Sequence, residues 1–255
     1  MKDRDQSVVE SLDGQDPALL PFIPYLLQDF WELGAHPDDV AGLLLAHGLA
    51  LPRKAVLDLG CGKGAVAVPL ARRFGLRVTG VDAFPPFVEE ARRRAEEHGV
   101  TALCEFRADD VRVAVAALRG FDIAILSGTG PLFGTYEETI RALRPCLVTG
   151  GHVVLDDAFV EDGKSEESGR YTGYSELHRQ LRAAGATVVD ERLSEMEEVG
   201  QACDVETGWI RRRADELALR HPNLAGLFDG YVRAQEAESR VLATQVRCVL
   251  WLLRL

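Results

Sequence analysis

Val56-Leu57-Asp58-Leu59-Gly60-Cys61-Gly62-Lys63-Gly64 is the stretch on which the reading of this chain turns. The apolar run from Ala55 to Leu59 predicts a central, fully buried strand. The glycines after it let the backbone turn tightly and pass close to a ligand before a helix that should begin near Ala65. Two ligand classes fit such a cradle. Gly60, Gly62 and Ala65 satisfy the dinucleotide fingerprint G-x-G-x-x-G/A, and Asp82 follows at about the spacing where a ribose-binding acid is expected. Asp58, two residues ahead of Gly60, points elsewhere. A pyrophosphate at this helix N-terminus would lie close to a negative charge, whereas a sulfonium carrying an α-ammonium group would be attracted to it.

Val56 to Gly64 also fits hh[D/E]hGxGxG at every defined position, and in this the chain resembles the class I S-adenosylmethionine-dependent methyltransferases. The resemblance covers about residues 50 to 193 and the last strand. It implies a seven-stranded, mostly parallel sheet of order 3-2-1-4-5-7-6, its last strand antiparallel, with helices on both faces. It also implies a cofactor site. Asp58, Gly60, Cys61 and Gly62 would form its centre, and Asp82, followed by Ala83, would accept hydrogen bonds from the ribose hydroxyls. Asp109, or else Asp110, would meet the adenine amino group, and Ser127 would line the floor near the methyl group. For Asp82, Asp109 and Asp110 a plainer reading is open, since aspartate is a favoured cap of the helix that follows.

The rest of the chain alternates as an α/β fold should. Strands are expected at Ala55 to Leu59, Arg77 to Val81, Ala102 to Phe106, Phe121 to Leu126, His152 to Leu155 and Thr187 to Leu193, with a closing strand at Arg247 to Leu253. Helices are expected at Ala65 to Phe74, Pro86 to His98, Tyr136 to Leu143 and Tyr174 to Ala184. Glu161 to Gly173, polar and glycine-bearing, reads as a mobile loop. Pro69 resists the pattern, because a proline inside a helix costs about 3 kcal/mol.

Three regions follow from this pattern. Residues 1–50 hold a polar tail and two helices, Pro17 to Leu33 and Pro37 to Leu49. Residues 51–193 with 245–255 form the cofactor-binding core. Residues 194–244 are long for a strand connection and read as a helical insertion, with helices at Trp209 to Arg220 and Asn223 to Thr244. The insertion and the N-terminal helices are the candidate substrate lid. Phe22, Tyr25, Phe30 and Trp31 could line its pocket or simply pack as core.

Composition narrows the partners. A net charge of −11 opposes non-specific attraction to nucleic acid, and no apolar run approaches the roughly 18 residues of a membrane span. The fourth strand ends Ser127-Gly128-Thr129-Gly130-Pro131 in place of the [D/N/S]-P-P-[Y/F] of many nucleic-acid amino-methylating enzymes. A small-molecule methyl acceptor is therefore expected. Five scattered cysteines without a C-x-x-C pair suggest neither a zinc site nor a disulfide framework and fit a cytoplasmic setting. No metal is expected. Any proton released by the acceptor would go to Asp156 or Asp157, with Tyr171, Tyr174 and His178 as further candidates. The rival readings are an NAD-dependent oxidoreductase and a non-catalytic S-adenosylmethionine-binding regulatory subunit.

Overall fold

The computed structural model describes residues 4–255; residues 1–3 of the expected polar tail lie outside the described residues. In chain order the elements are α1 (Arg4–Ser11), α2 (Ile23–Leu26), α3 (Pro37–Ala46), β1 (Ala55–Leu59), α4 (Ala67–Phe74), β2 (Arg77–Asp82), α5 (Pro85–Glu97), β3 (Cys104–Ala108) and α6 (Val111–Ala114). They continue with β4 (Phe121–Ser127), α7 (Tyr136–Leu143), β5 (Leu147–Phe159), α8 (Tyr174–Ala183), β6 (Thr187–Leu193), α9 (Met196–Arg220), α10 (Ala225–Thr244) and β7 (Arg247–Arg254). No helix among the described residues is long and apolar enough to cross a membrane.

The strands form one sheet of order β3-β2-β1-β4-β5-β7-β6, the order the resemblance implied. β1 runs parallel to β2 and β4, β2 to β3 and β4 to β5, while β7 lies antiparallel to β6. Val56, Leu57, Asp58 and Leu59 are all shielded from solvent, so β1 is covered on both faces, as a strand in a doubly wound parallel sheet must be. Its Asp58 sits in register with Gly80 on one side and Ile125 on the other.

The chain divides into two compact units. The larger holds residues 31–157, 174–193 and 249–255, and its core joins α3, α4 and α5 to the central strands through Val40, Leu44, Leu70, Val88, Ile123 and Val154. The smaller holds the described N-terminal residues up to Phe30 with 158–173 and 194–248. In it α9 and α10 pair along their lengths. Phe22 meets Phe228 of α10 edge-on at 5.0 Å between ring centroids, and Phe30 meets Trp209 of α9 at 5.3 Å. For these two aromatics, packing is the role the structure displays.

Several elements depart from expectation, among them β3, which runs two residues later than expected, and the short α6, which was not expected. The helix expected over Pro17 to Leu33 is a 3-10 turn (Pro17–Leu19), the single turn α2 and bends, because Pro21 and Pro24 each lack the N–H that a continuous helix requires. α4 starts at Ala67, two residues later than expected, which resolves Pro69: it is the third helical residue, where a backbone N–H has no intrahelical partner to lose. β5 extends well beyond His152 to Leu155, through the Gly150-Gly151 pair that broke the apolar run. α9 begins at Met196, and its first half is mostly exposed, with Cys203 its one buried residue, so it carries almost no apolar stripe from which to read a helix. α1, inside the expected tail, is anchored by buried Val8 and Val9.

Candidate functional site

The turn after β1 is built from backbone. Gly60 has φ +76, and a Cβ there would stand 2.6 Å from Thr129 Cγ2, so the position is closed to side chains on both grounds. Gly60 and Cys61 donate their N–H groups to Val81 O, which ties the loop to the end of β2. Asp82 completes the tie: Oδ2 accepts from Gly62 N at 2.9 Å and Oδ1 from Phe84 N at 2.8 Å. One carboxylate thus holds the glycine loop and the entrance to α5 in register. Ala83 lies between Asp82 and Phe84, inside the turn closed by their hydrogen bond.

Asp58 is the anomaly of the site. Only 2% of the residue is exposed, and its Oδ2 has no hydrogen-bond partner among the described residues. Burial, then the neighbouring charge of Asp82, pushes its carboxyl up to about pKa 7. A buried polar atom left unpaired is costly, and its survival calls for a partner. Cys61 is also buried, and its thiol is held well above the ordinary range by burial and by Asp58 and Asp82.

At the ends of β4 and β5, Ser127 Oγ donates to Asp156 Oδ2 at 2.8 Å and accepts from Ala35 N at 2.5 Å. Asp156 is raised to about 7 by burial, against the opposing bond from Ser127 and reinforced by the charges of Asp157 and Asp39. Asp157 Oδ2 accepts from the hydroxyl of buried Tyr136 at 2.7 Å. After β3, exposed Asp109 accepts from Asp110 N at 2.8 Å and donates its own N–H to Asp82 O at 2.9 Å. Asp110 caps α6 through Arg112 N and grips the Arg112 guanidinium. Tyr171 bonds Glu238, while Tyr174 and His178 gather with Trp251 on Glu191. None of those three turns its polar group toward Asp156 or Asp157 in these bonds.

Asp58, Gly60, Cys61, Gly62 and Ser127 line one cleft, together with a strap of residues 31–35. Trp31 Nε1 donates to Lys63 O at 2.9 Å, the indole stacks on His98 with 3° between planes, and the Arg94 guanidinium lies 4.9 Å from its ring. With the strap seated, the cleft encloses only about 40 Å³. Gly34 is the strap residue that the sequence did not flag: a Cβ there would collide with Ser127 Oγ. Its signal was present in Leu33-Gly34-Ala35, a break after an aromatic-rich segment.

Residues 56–151, the segment that contains this loop and β1 to β4, match the family described as a methyltransferase domain. That segment is a methyltransferase domain, set in a sheet with the strand order of the class I S-adenosylmethionine-dependent fold. The uncharacterised protein YjhP of Escherichia coli is 29% identical over 70% of this chain and 56% of its own length. A ubiquinone biosynthesis O-methyltransferase of a Methylobacterium species is 37% identical over 35% of this chain and 30% of its own. The chain thus spans about half, or less, of the length of these curated relatives. Among solved structures, a SAM-dependent methyltransferase from Geobacter sulfurreducens, in complex with S-adenosyl-L-homocysteine, superposes with a TM-score of 0.76 at 20% identity, over 91% of this chain and 97% of that one. Its likeness is one of fold.

Proposed function

We propose that the protein transfers a methyl group from S-adenosylmethionine to a small-molecule acceptor. The observation that carries this reading is the buried, partnerless carboxylate oxygen of Asp58 in the cleft beside the glycine loop. It fits a cationic amino-acid head and would repel a pyrophosphate, which sets aside the NAD-dependent alternative. Asp58 is assigned to the ammonium group, and Gly60, Cys61 and Gly62 to close backbone contact. Asp82 is assigned to the ribose hydroxyls, because its carboxylate is fixed at the end of β2 beside the glycine loop and a carboxylate oxygen accepts more than one hydrogen bond. Ala83 would lie alongside. Asp109 is favoured for the adenine amino group, since Asp110 is committed to the α6 cap. Ser127 would form the floor.

The bound cofactor supplies an activated methyl group, so the chain's own work is to position the acceptor, exclude water and remove a proton. Asp156 suits proton removal, because a carboxyl poised near 7 accepts a proton efficiently near neutral pH and Ser127 fixes its orientation. Asp157, oriented by Tyr136, is the second candidate. Trp31 to Ala35 must shift to admit a nucleoside-sized ligand, since such ligands occupy several hundred Å³. The smaller unit, which holds all of residues 194–244, is assigned the selection of the acceptor. A small acceptor accords with the chain's acidity, and five unpaired cysteines accord with a reducing, cytoplasmic setting.

Parallel calorimetric titrations with S-adenosylmethionine, S-adenosylhomocysteine and NADH test the reading. Micromolar binding of the first two alone is expected, and binding of NADH alone would overturn it. Methyl transfer in a screen of small acceptors would then exclude a non-catalytic subunit.

A further inference from the structure

A cavity larger than the glycine-loop cleft lies within the smaller unit and shares no residue with that cleft. It encloses about 550 Å³, the size of a site for an organic molecule, between the loop that follows β5, the first residue of α9 and the junction of α10 with β7. Met196 and Val246 supply apolar wall. The polar lining is rich in donors: Lys164, Ser165 and Arg247, with Gln245 using its carboxamide oxygen to accept from Glu167 N and keeping its NH2 group as a further donor.

Arg247 is under-used for so well-equipped a group. Among the described residues its Nε is buried with no hydrogen-bond partner, and its ion pair is a long one, Nη1 to Glu161 Oε1 at 3.7 Å. Glu161 also pairs with Lys164. One partly exposed carboxylate therefore serves two cations without satisfying the guanidinium fork, and solvent-accessible pairs of this kind are weak enough to exchange. A planar oxyanion engaging Nε and a terminal nitrogen would satisfy what Glu161 leaves open.

We propose that this cavity is a second ligand site, selective for a small organic molecule bearing a carboxylate or phosphate group, with Arg247 and Lys164 holding the anion and Glu161 occupying their charges until it arrives. The anionic head lies against the two cations and the apolar remainder against Met196 and Val246. The site is independent of the methyl-transfer reading, because no residue of the glycine-loop cleft takes part.

Equilibrium titration of the full chain with benzoate, phenyl phosphate, inorganic phosphate and neutral benzamide tests this. Saturable binding of benzoate or phenyl phosphate, at least tenfold tighter than benzamide, is expected. Benzoate alone would mark a carboxylate site, phenyl phosphate alone a phosphate site. Lys164→Met and Arg247→Met should each weaken that binding tenfold or more, and Glu161→Gln should tighten it several-fold by removing the competitor. Cofactor titrations should be unchanged in all three, which separates failure here from failure of the methyltransferase reading. Should Arg247→Met fail to fold, the two solvent-accessible positions decide the matter. Binding of inorganic phosphate alone, equal binding of benzamide, or insensitivity to Lys164→Met and Glu161→Gln would overturn the proposal.

Discussion

Asp58 offers a decisive experiment because its carboxyl should be felt in stability and in binding with opposite sign. Its pKa is raised from 3.8 to about 7 in the folded chain. Between those values the folded state holds a proton that the unfolded state has released, so stability falls as pH rises through the window and the full loss is present above about pH 7. Three pH units at about 1.4 kcal/mol each give a ceiling of ~4 kcal/mol, undiminished by solvent screening because the side chain is buried. Other carboxylates, such as Asp122 and Glu176, are lowered and act the opposite way at lower pH, so the informative quantity is a difference between proteins. Asp58→Asn should match the parent near pH 4 and exceed it increasingly toward pH 8, read from urea midpoints by tryptophan fluorescence. The parent should in turn bind S-adenosylmethionine more tightly as pH rises to 7, approaching tenfold per unit, because the cation stabilises the ionised carboxylate. The variant should bind weakly and without that slope. Parallel stability curves for the two proteins, or a variant that retains the pH-dependent affinity, would refute the assignment of Asp58 as the cationic subsite.

Further expectations concern single contacts. Asp82→Ala should weaken S-adenosylmethionine binding by about 1.5–3 kcal/mol, the range for hydrogen bonds to a charged group, and unchanged affinity in a folded variant would remove Asp82 from the site. Gly34→Ala, whose Cβ would collide with Ser127 Oγ, should unseat the strap and speed cofactor association several-fold in stopped-flow fluorescence. An unchanged association rate would show that the strap does not gate the cleft. Pro69→Ala should alter stability by less than about 1 kcal/mol, since α4 forms no bond through that position; a change near 3 kcal/mol in either direction would contradict a helix beginning at Ala67. Asp156→Asn should lower methyl transfer to a hydroxyl acceptor by about 10²–10⁴-fold with cofactor affinity intact, measured by product formation against pH.

The legibility of this chain followed how local each determinant was. β1, its glycine turn, α7 and β6 were readable because their signals are contained in the segment: a buried run, positive-φ glycines, a Thr135 capping box with Glu138, and a short alternation. The double-glycine start of β5 and the polar half of α9 were not, because there strand pairing and helix pairing supply the stability that the sequence window lacks. The site divided in the same way. Asp58 and Asp82 could be named from spacing, yet spacing could not distinguish a carboxylate held by backbone N–H groups from one with an oxygen left open. Both lie at strand ends beside the same loop, and only the folded geometry separates them: Asp82 is held by Gly62 N and Phe84 N, while Asp58 keeps a buried oxygen without a partner among the described residues. That asymmetry explains why two acids at one glycine turn can serve different ends. Asp82 keeps its place without a ligand because Gly62 N and Phe84 N still hold it, whereas Asp58 is stable in its charged form only when a cation is brought to it.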